Sequence, residues 1–295
     1  MKDTINEFLD YISYEKKYSD NTELNYEIDL YRFDEYLKMN HKNYLKIKYE
    51  DVSNFIITLQ KSGYKSTSIN RTISTLRSFY TYLEKEKIIS SNPFNLISNL
   101  KTDKRLPNYF KYNEYLEMIN TLSDSPLDIR NRLILELLLA TGMRVSELSN
   151  IKIDTIDFNN NEIKVHGKGN KERIVFYGSY AKDALDNYLY NSRNILLNGK
   201  ESVFLLVNNN GTPLTSRGIR LIIENIVKKA SIHSKITPHT FRHTFATMLL
   251  NEGCNIKSVQ ELLGHASLNT TGIYTHLTNE EVRKVYLNAH PRAKK

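Results

Sequence analysis

Apolar residues recur at three- and four-residue intervals through the first hundred positions, which is the period of amphipathic helices. The recurrence predicts four helices, whose apolar stripes lie within residues 8–12, 26–37, 52–59 and 69–83. We expect Gly63 to end the third helix, the polar run Ser66–Ser68 to cap the fourth, and Asn92-Pro93 to mark a stop after it. The pattern therefore predicts a small all-helical domain over residues 1–100.

A different pattern begins after Lys101–Pro107, a polar and basic segment that ends in proline and has the composition of an interdomain linker. Two short strands are predicted at Ile163–Val165 and Arg173–Phe176, and the glycines between them suit a hairpin turn. The helices predicted around them are 133–140 ended by Gly142, 181–197, 219–230, one that opens at Thr237-Pro238, and 256–263 ended by Gly264. We therefore predict two domains and a fold that is mainly α, with a small β-sheet in a mixed α/β domain over residues 108–295.

Composition narrows the class of protein. Forty per cent of the 295 residues are hydrophobic, as in a globular chain, and no apolar run is as long as a membrane span. The N-terminus has no apolar signal region, and Cys254 is the only cysteine, so an intrachain disulfide is impossible. We therefore expect a cytoplasmic protein without a membrane partner.

Charge adds a preference for a polyanionic partner. The net charge is +8 and the pI is near 9.2. Residues 51–107 hold nine Lys or Arg against four Asp or Glu, whereas residues 1–50 hold eight against eleven. A basic, asymmetric chain is typical of nucleic-acid binding, although a chain rich in Asn, Lys and Ile also drifts basic without any such role.

The strongest chemical signal lies between Thr237 and Tyr274. His239, Arg242 and His265 precede Tyr274, and the tyrosine lies nine residues after His265 of the Gly264-His265 pair. Cationic and proton-donating groups suit a phosphodiester whose negative charge grows in the transition state. A tyrosine beside them can act as the nucleophile that takes the phosphate covalently.

This segment resembles the catalytic region of the tyrosine recombinases, the integrase family. The family pattern has an arginine in a Thr-Gly-Met-Arg-x-Ser-Glu context, a lysine in a β-turn, a His-x-x-Arg, a further histidine and the tyrosine. Those positions are filled in order by Arg144, Lys168, His239, Arg242, His265 and Tyr274. The resemblance implies a SAM-like helical core-binding domain over 1–100, a linker over 101–107 and a catalytic domain over 108–295. It also implies a site-specific recombinase that cuts and rejoins DNA through a 3′-phosphotyrosyl intermediate and a Holliday junction.

The residue types suggest a role for each position. Arg144 and Arg242 are expected to grip the non-bridging oxygens of the scissile phosphate, because each arginine presents a charged fork of donors. We expect Lys168 to protonate the leaving 5′-oxygen, and His239 to accept the proton of Tyr274. His265 is expected to donate to the same phosphate. Glu147, three residues after Arg144, is expected to orient an arginine without taking part in the chemistry.

Five further cations are candidate DNA contacts. Two of them, Arg71 and Arg77, lie off the apolar stripe of the fourth helix among small polar residues. Two others, Lys171 and Arg173, come after the predicted turn and either touch the DNA backbone or solvate the hairpin. The fifth, Arg217, opens a helix where a phosphate could bind. A solvated helix face is the alternative for the first pair.

Several segments look like the Xer subgroup of the family. They include Gly167–Arg173 and the closing run Ala289–Ala293. That subgroup implies resolution of chromosome dimers at a dif-type site. Its expected partners are double-stranded DNA with an inverted-repeat site, a homo- or hetero-tetramer on two such sites, a paralogous recombinase and a septal DNA translocase. An integrase of a mobile element, a type IB topoisomerase and a DNA-binding module with a vestigial site remain alternatives.

Neither a metal nor a cofactor is expected. His239, His243 and His265 lack a carboxylate or cysteine at the usual zinc spacing, and the phosphotyrosyl bond conserves the energy that religation needs. The tail at Asn279–Leu287 has a short amphipathic pattern, which must bury against a surface to be stable. That surface is either a neighbouring subunit, as in similar recombinases, or the tail's own domain.

Overall fold

The computed structural model describes residues 1–16, 18, 20–102, 109–167, 172–264 and 279–293. The chain divides into two compact units, Met1–Lys104 and Arg105–Lys295, and the division falls inside the predicted linker. None of the helices in the described ranges combines the length and apolarity that a membrane span requires.

The first unit is helical throughout its regular structure. Its helices are α1 (Lys2–Asp10, continued by a π-helical turn at Tyr11–Glu15), α2 (Asp20–Met39), α3 (Tyr49–Lys61) and α4 (Ser66–Lys85). Their apolar stripes meet in a core of aromatic rings, in which Phe33 packs edge-on against Phe55 at 4.9 Å and Phe94 at 5.8 Å. One prediction was wrong: Ser66–Ser68 lie inside α4, which begins after Lys65 without a side-chain cap.

The second unit contains most of the regular structure. Its elements are α5 (Tyr112–Asn120), α6 (Pro126–Thr141), α7 (Val145–Ser149), β1 (Ile156–Asp157), β2 (Glu162–His166), β3 (Glu172–Phe176), α8 (Ser179–Asn191), α9 (Arg193–Leu197), α10 (Ser216–Lys229), α11 (Pro238–Asn251), α12 (Ile256–Leu263) and α13 (Asn279–Ala289). The prediction of a mainly helical fold with a small sheet in this unit is confirmed.

Helix α6 is the centre of this unit. Residues 133–140 are apolar apart from Glu136, and every one of them is buried, so the helix packs on all sides, notably against α8 and α11. The Ser125 side chain caps the first turn, and Gly142 ends the helix with a left-handed backbone, φ +58°. A Cβ on Gly142 would lie 2.5 Å from Phe245 of α11 and 2.9 Å from Leu263 of α12. The end of α6 is therefore in close contact with both of these helices.

The sheet has three antiparallel strands in the order β1-β2-β3, with Ile163 opposite Val175 and His166 opposite Glu172. The predicted hairpin is confirmed, whereas the two-residue strand β1 was missed because it is too short to show alternation. The helix predicted over 181–197 is broken at Ser192, whose hydroxyl donates to the carbonyl of Pro126.

The tail packs on its own unit. Tyr286 is buried and stacks on Phe176 and His290. The His290 ring nitrogen Nε2 lies 3.1 Å from the carbonyl oxygen of Leu139, and Arg292 forms a buried ion pair with Glu136. Of the two surfaces that the amphipathic pattern left open, the described part of the tail therefore occupies its own domain.

Candidate active site

Arg144 is held where α6 gives way to α7. It lies two residues after the left-handed turn at Gly142 and forms the N-cap of α7. Its backbone N–H donates to Oε2 of Glu147 at 2.7 Å, and its Nη1 donates to Oε1 at 2.9 Å. The Glu147 side chain is 2% exposed and that of Arg144 is 34% exposed. A buried carboxylate therefore fixes a guanidinium that still reaches the surface.

Arg242 is held by the ends of two other helices. It lies in the second turn of α11, a helix that begins with the Thr237 cap and Pro238 as predicted. Its Nη1 donates to the carbonyl of Gly142 at 2.9 Å, and its Nη2 donates to the carbonyl of Leu263 at 2.6 Å. These carbonyls terminate α6 and α12, and the C-terminal end of a helix carries a partial negative charge that favours a cation.

The local electrostatics suit an anion. Burial, together with the smaller effect of repulsion from Arg144 and Arg173, lowers the pKa of Arg242 to about 10. The group is still a cation at neutral pH. A phosphate placed beside it would relieve both the repulsion and the loss of hydration, so the arrangement favours binding of a negatively charged group.

Glu147 is shared between two arginines. Arg173 of β3 donates from Nη1 to Oε1 at 2.7 Å and from Nη2 to Oε2 at 2.8 Å, a bidentate pair. Burial alone would raise the pKa of Glu147, but its bonds to Arg173 and Arg144 outweigh that effect and hold the pKa below its usual range. Glu147 therefore contacts two arginines, and its expected role in orienting Arg144 for the reaction stays a prediction.

The direction of the Arg173 side chain differs from the one that the sequence predicted. This side chain is only 14% exposed and is directed at Glu147, so it neither solvates the hairpin nor faces outward towards DNA. Arg173 shares a face with the buried Val175 and lies opposite the buried Val165, but Ile174 and Phe176 make the other face of β3 apolar as well, so alternation alone does not show which way the arginine points.

His239 lies at the second position of α11, exposed and three residues before Arg242, which puts both on the same side of the helix. Lys168, Lys171, His265 and Tyr274 lie outside the described residues. Gly264, which directly precedes His265, ends α12 with a left-handed backbone, φ +65°, as the sequence predicted.

The two candidate DNA contacts in the first unit, Arg71 and Arg77, have partners within their own domain. Arg71 donates to the backbone and side-chain oxygens of Asn25 and to Asp29, which ties α4 to α2. Arg77 donates to the carbonyls of Phe94 and Ile97 and so holds the segment after α4. Several of their donors are used within the domain, although the Arg71 side chain is still 39% exposed, and a DNA contact at either arginine stays a prediction.

Arg217 is placed differently from these two arginines. It is exposed at the second position of α10, where the Thr215 side chain accepts from the N–H of Gly218. A DNA contact at Arg217 therefore stays a prediction. The structure also shows, within the described ranges, no cluster of three or more His, Cys, Asp or Glu side chains that could hold a metal ion.

Comparisons with known proteins agree with this architecture. Residues 108–281 match the model of the phage integrase family, and residues 5–87 match that of the phage integrase N-terminal SAM-like domain. A protein of Anoxybacillus flavithermus named tyrosine recombinase XerC is 44% identical, and the match covers 98% of each chain. A protein of the same name from Staphylococcus aureus is 45% identical, with 98% of this chain and 96% of the relative covered.

A solved structure supports the fold independently. The Tn1549 transposon integrase, solved in complex with circular intermediate DNA, superposes with a TM-score of 0.71 at 22% identity, covering 95% of this chain and 98% of that one. At this identity the likeness shows the fold alone. The two family matches and the near full-length relatives show the family. The chain belongs to the phage integrase family and is a tyrosine recombinase, an enzyme of site-specific recombination that breaks and rejoins DNA strands.

Proposed function

We propose that this chain resolves chromosome dimers by recombination at a dif-type site, with Tyr274 as the nucleophile. The observation that carries the proposal is the arginine pair. Arg144 and Arg242 come from different helices, and both are tied to the turn at Gly142, one by chain connectivity and the other by a hydrogen bond to its carbonyl. Two guanidinium groups fixed around one turn form a receptor for a single phosphate.

The proposed chemistry is a pair of transesterifications. The Tyr274 oxygen forms a bond to phosphorus while the bond to the 5′-oxygen breaks, so DNA keeps a 3′-phosphotyrosyl link to the protein. The tyrosine proton passes to His239, directly or through water, and Lys168 protonates the leaving 5′-oxygen. His265, Arg144 and Arg242 stabilise the charge on the non-bridging oxygens. A 5′-hydroxyl from the partner duplex then attacks the phosphotyrosine and gives its proton to Lys168, while the bond to the tyrosine oxygen breaks and His239 returns the proton to Tyr274. One such exchange forms a Holliday junction.

This proposal needs no cofactor. The phosphotyrosyl bond conserves the energy of the original phosphodiester, so religation requires no nucleotide. The arginines supply the positive charge that a metal ion supplies in other phosphoryl-transfer sites.

The proposed partners are set by the same reaction. Strand exchange joins two duplexes, so the active assembly is a tetramer on two inverted-repeat sites, either of this chain alone or with a paralogous recombinase. A septal DNA translocase is the proposed regulator, and the cytoplasmic nucleoid is the proposed location. The relatives named XerC favour this role over integration of a mobile element.

The test begins with the DNA site. Fragments bound by the protein are recovered from its own genome and sequenced, and two labelled duplexes of the recovered site are then incubated with the protein in excess chelator without ATP. We expect junctions and exchanged products in which label moves between the duplexes. Relaxation of a supercoiled plasmid without exchange would show a topoisomerase instead. Recovery of a site confined to a mobile element would replace dimer resolution by integration.

A further inference from the structure

We infer that Arg173 is a positioning residue for strand cleavage. It neutralises Glu147, so that the positive charge of Arg144 stays available to the scissile phosphate. The inference rests on the proposed function, in which Arg144 binds that phosphate. It replaces the expectation that Arg173 touches DNA.

Glu147 accepts hydrogen bonds from both arginines on both of its carboxylate oxygens. Oε1 accepts from Nη1 of Arg173 and from Nη1 of Arg144. Oε2 accepts from Nη2 of Arg173 and from the backbone N–H of Arg144. Each carboxylate oxygen therefore accepts one hydrogen bond from each arginine. The Glu147 side chain is 2% exposed, so water cannot solvate its negative charge.

The two arginines do not share the negative charge of Glu147 equally. Arg173 makes the bidentate contact with Glu147, whereas the side chain of Arg144 makes one bond to it at 2.9 Å. The three groups together carry one net positive charge. Without the guanidinium of Arg173, Glu147 would have Arg144 as its counterion, and an incoming phosphate would have to compete with a buried carboxylate for the same cation.

A second contact links Arg173 to the end of α12. A Cβ on Gly264 would lie 2.7 Å from Cδ of Arg173 and 3.0 Å from its Nε, so the arginine stem passes directly against this glycine. One side chain therefore touches the element that presents Arg144 and the residue that precedes His265 in the chain.

The test separates cleavage from DNA binding. With protein in excess over a nicked substrate, Arg173→Met should slow formation of the covalent complex by about 10- to 100-fold, the loss expected when a charged hydrogen-bond partner is removed. Site affinity should stay within about twofold. Lys182→Met is the matched control: it also removes one positive charge, from a surface lysine of α8 that pairs with Asp186, and should change neither the site affinity nor the cleavage rate by more than about twofold.

The double variant Arg173→Met/Glu147→Gln tests the electrostatic reason. Removal of the competing carboxylate should restore at least about fivefold of the lost rate, even though two contacts are now missing. Because an unpaired buried carboxylate also destabilises the fold, the rates are compared per folded protein; a merely structural role for Arg173 predicts no rescue once the folded fractions are equal. If Arg173→Met does not fold, Arg173→Lys replaces it; this variant keeps the charge and should cleave within about fivefold of the unchanged protein.

Four results would overturn the inference. Three are an unchanged cleavage rate in folded Arg173→Met, a loss confined to affinity and salt dependence, and a double variant no faster than Arg173→Met at equal folded fraction. The fourth is a slow, folded Arg173→Lys with the full loss of the methionine variant. Failure of the unchanged protein to form any covalent complex would instead contradict the proposed function.

Discussion

Gly142→Ala should destabilise the second unit more than the same substitution at a glycine whose added Cβ would meet no neighbouring atom. The new methyl group would lie 2.5 and 2.8 Å from Cδ1 and Cγ of Phe245 and 2.9 Å from Cδ2 of Leu263. Both neighbours are buried, at 1% and 5% exposure, so neither side chain can swing into solvent. Helices α11 and α12 would have to move away from the end of α6.

The expected loss in the free energy of unfolding has two parts. A left-handed backbone at φ +58° costs a residue with a Cβ about 1–2 kcal/mol. Overpacking in a tight interior costs about 1–3 kcal/mol more. We therefore expect Gly142→Ala to lower the free energy of unfolding by about 2–5 kcal/mol. Cleavage should also slow, because the carbonyl of Gly142 accepts the bond from Arg242.

Gly253→Ala is the matched control. Gly253 also lies just after a helix of the same unit and has φ +84°, but nothing lies within 4 Å of its added Cβ. It should therefore show only the backbone cost of about 1–2 kcal/mol. Urea unfolding followed by near-ultraviolet circular dichroism of the tyrosines measures both variants, since the chain has no tryptophan. Equal destabilisation of the two variants would refute the close packing described at Gly142.

Three further predictions concern other parts of the unit. Burial lowers the pKa of His290 to about 4, against about 6.5 in the unfolded chain, so between these values only the unfolded state binds the proton. The free energy of unfolding, measured with urea, should therefore fall by about 2 kcal/mol from pH 7 to pH 5, and His290→Asn should remove that fall. Arg292→Met leaves Glu136 buried without its partner and should cost about 3–5 kcal/mol in the same assay, partly recovered by adding Glu136→Gln; a neutral result would mean that the tail is not anchored on its own domain. Lys168→Ala should cleave DNA with a bridging 5′-sulfur far better than normal DNA, because that leaving group needs no acid, and equal impairment on both substrates would remove Lys168 from the role.

The sequence predicted the fold well where local signals agreed. The helix ends at Gly142 and Gly264 and the start at Thr237-Pro238 are marked by residues whose backbone preferences act locally. The hairpin of β2 and β3 was visible for the same reason. The break at Ser192 was not: the Ser192 hydroxyl bonds to the carbonyl of Pro126, sixty-six residues away in the chain, a contact that the local pattern does not reveal.

The site shows the same division between local and distant causes. The pairing of Arg144 with Glu147 lies within one turn and could be predicted from their spacing. The inward direction of Arg173 and the use of Arg71 and Arg77 in packing could not be inferred from residue type, since an arginine on a surface helix and one that braces a neighbouring segment look alike in sequence. The bonds from Arg77 to Phe94, from Arg173 to Glu147 and from Arg71 to Asp29 span 17, 26 and 42 residues, and they appear only when the elements are packed together.

Cleavage of DNA by Tyr274 is measured directly by trapping the covalent complex on a nicked site, from which the short cleaved fragment diffuses away. The unchanged protein should give a protein–DNA adduct that resists denaturant, and digestion of the adduct should leave the DNA on the peptide that contains Tyr274. Tyr274→Phe should bind the same site with unchanged affinity and give no adduct. A persistent denaturant-resistant adduct in Tyr274→Phe, or DNA recovered on a different tyrosine peptide, would show that Tyr274 is not the nucleophile.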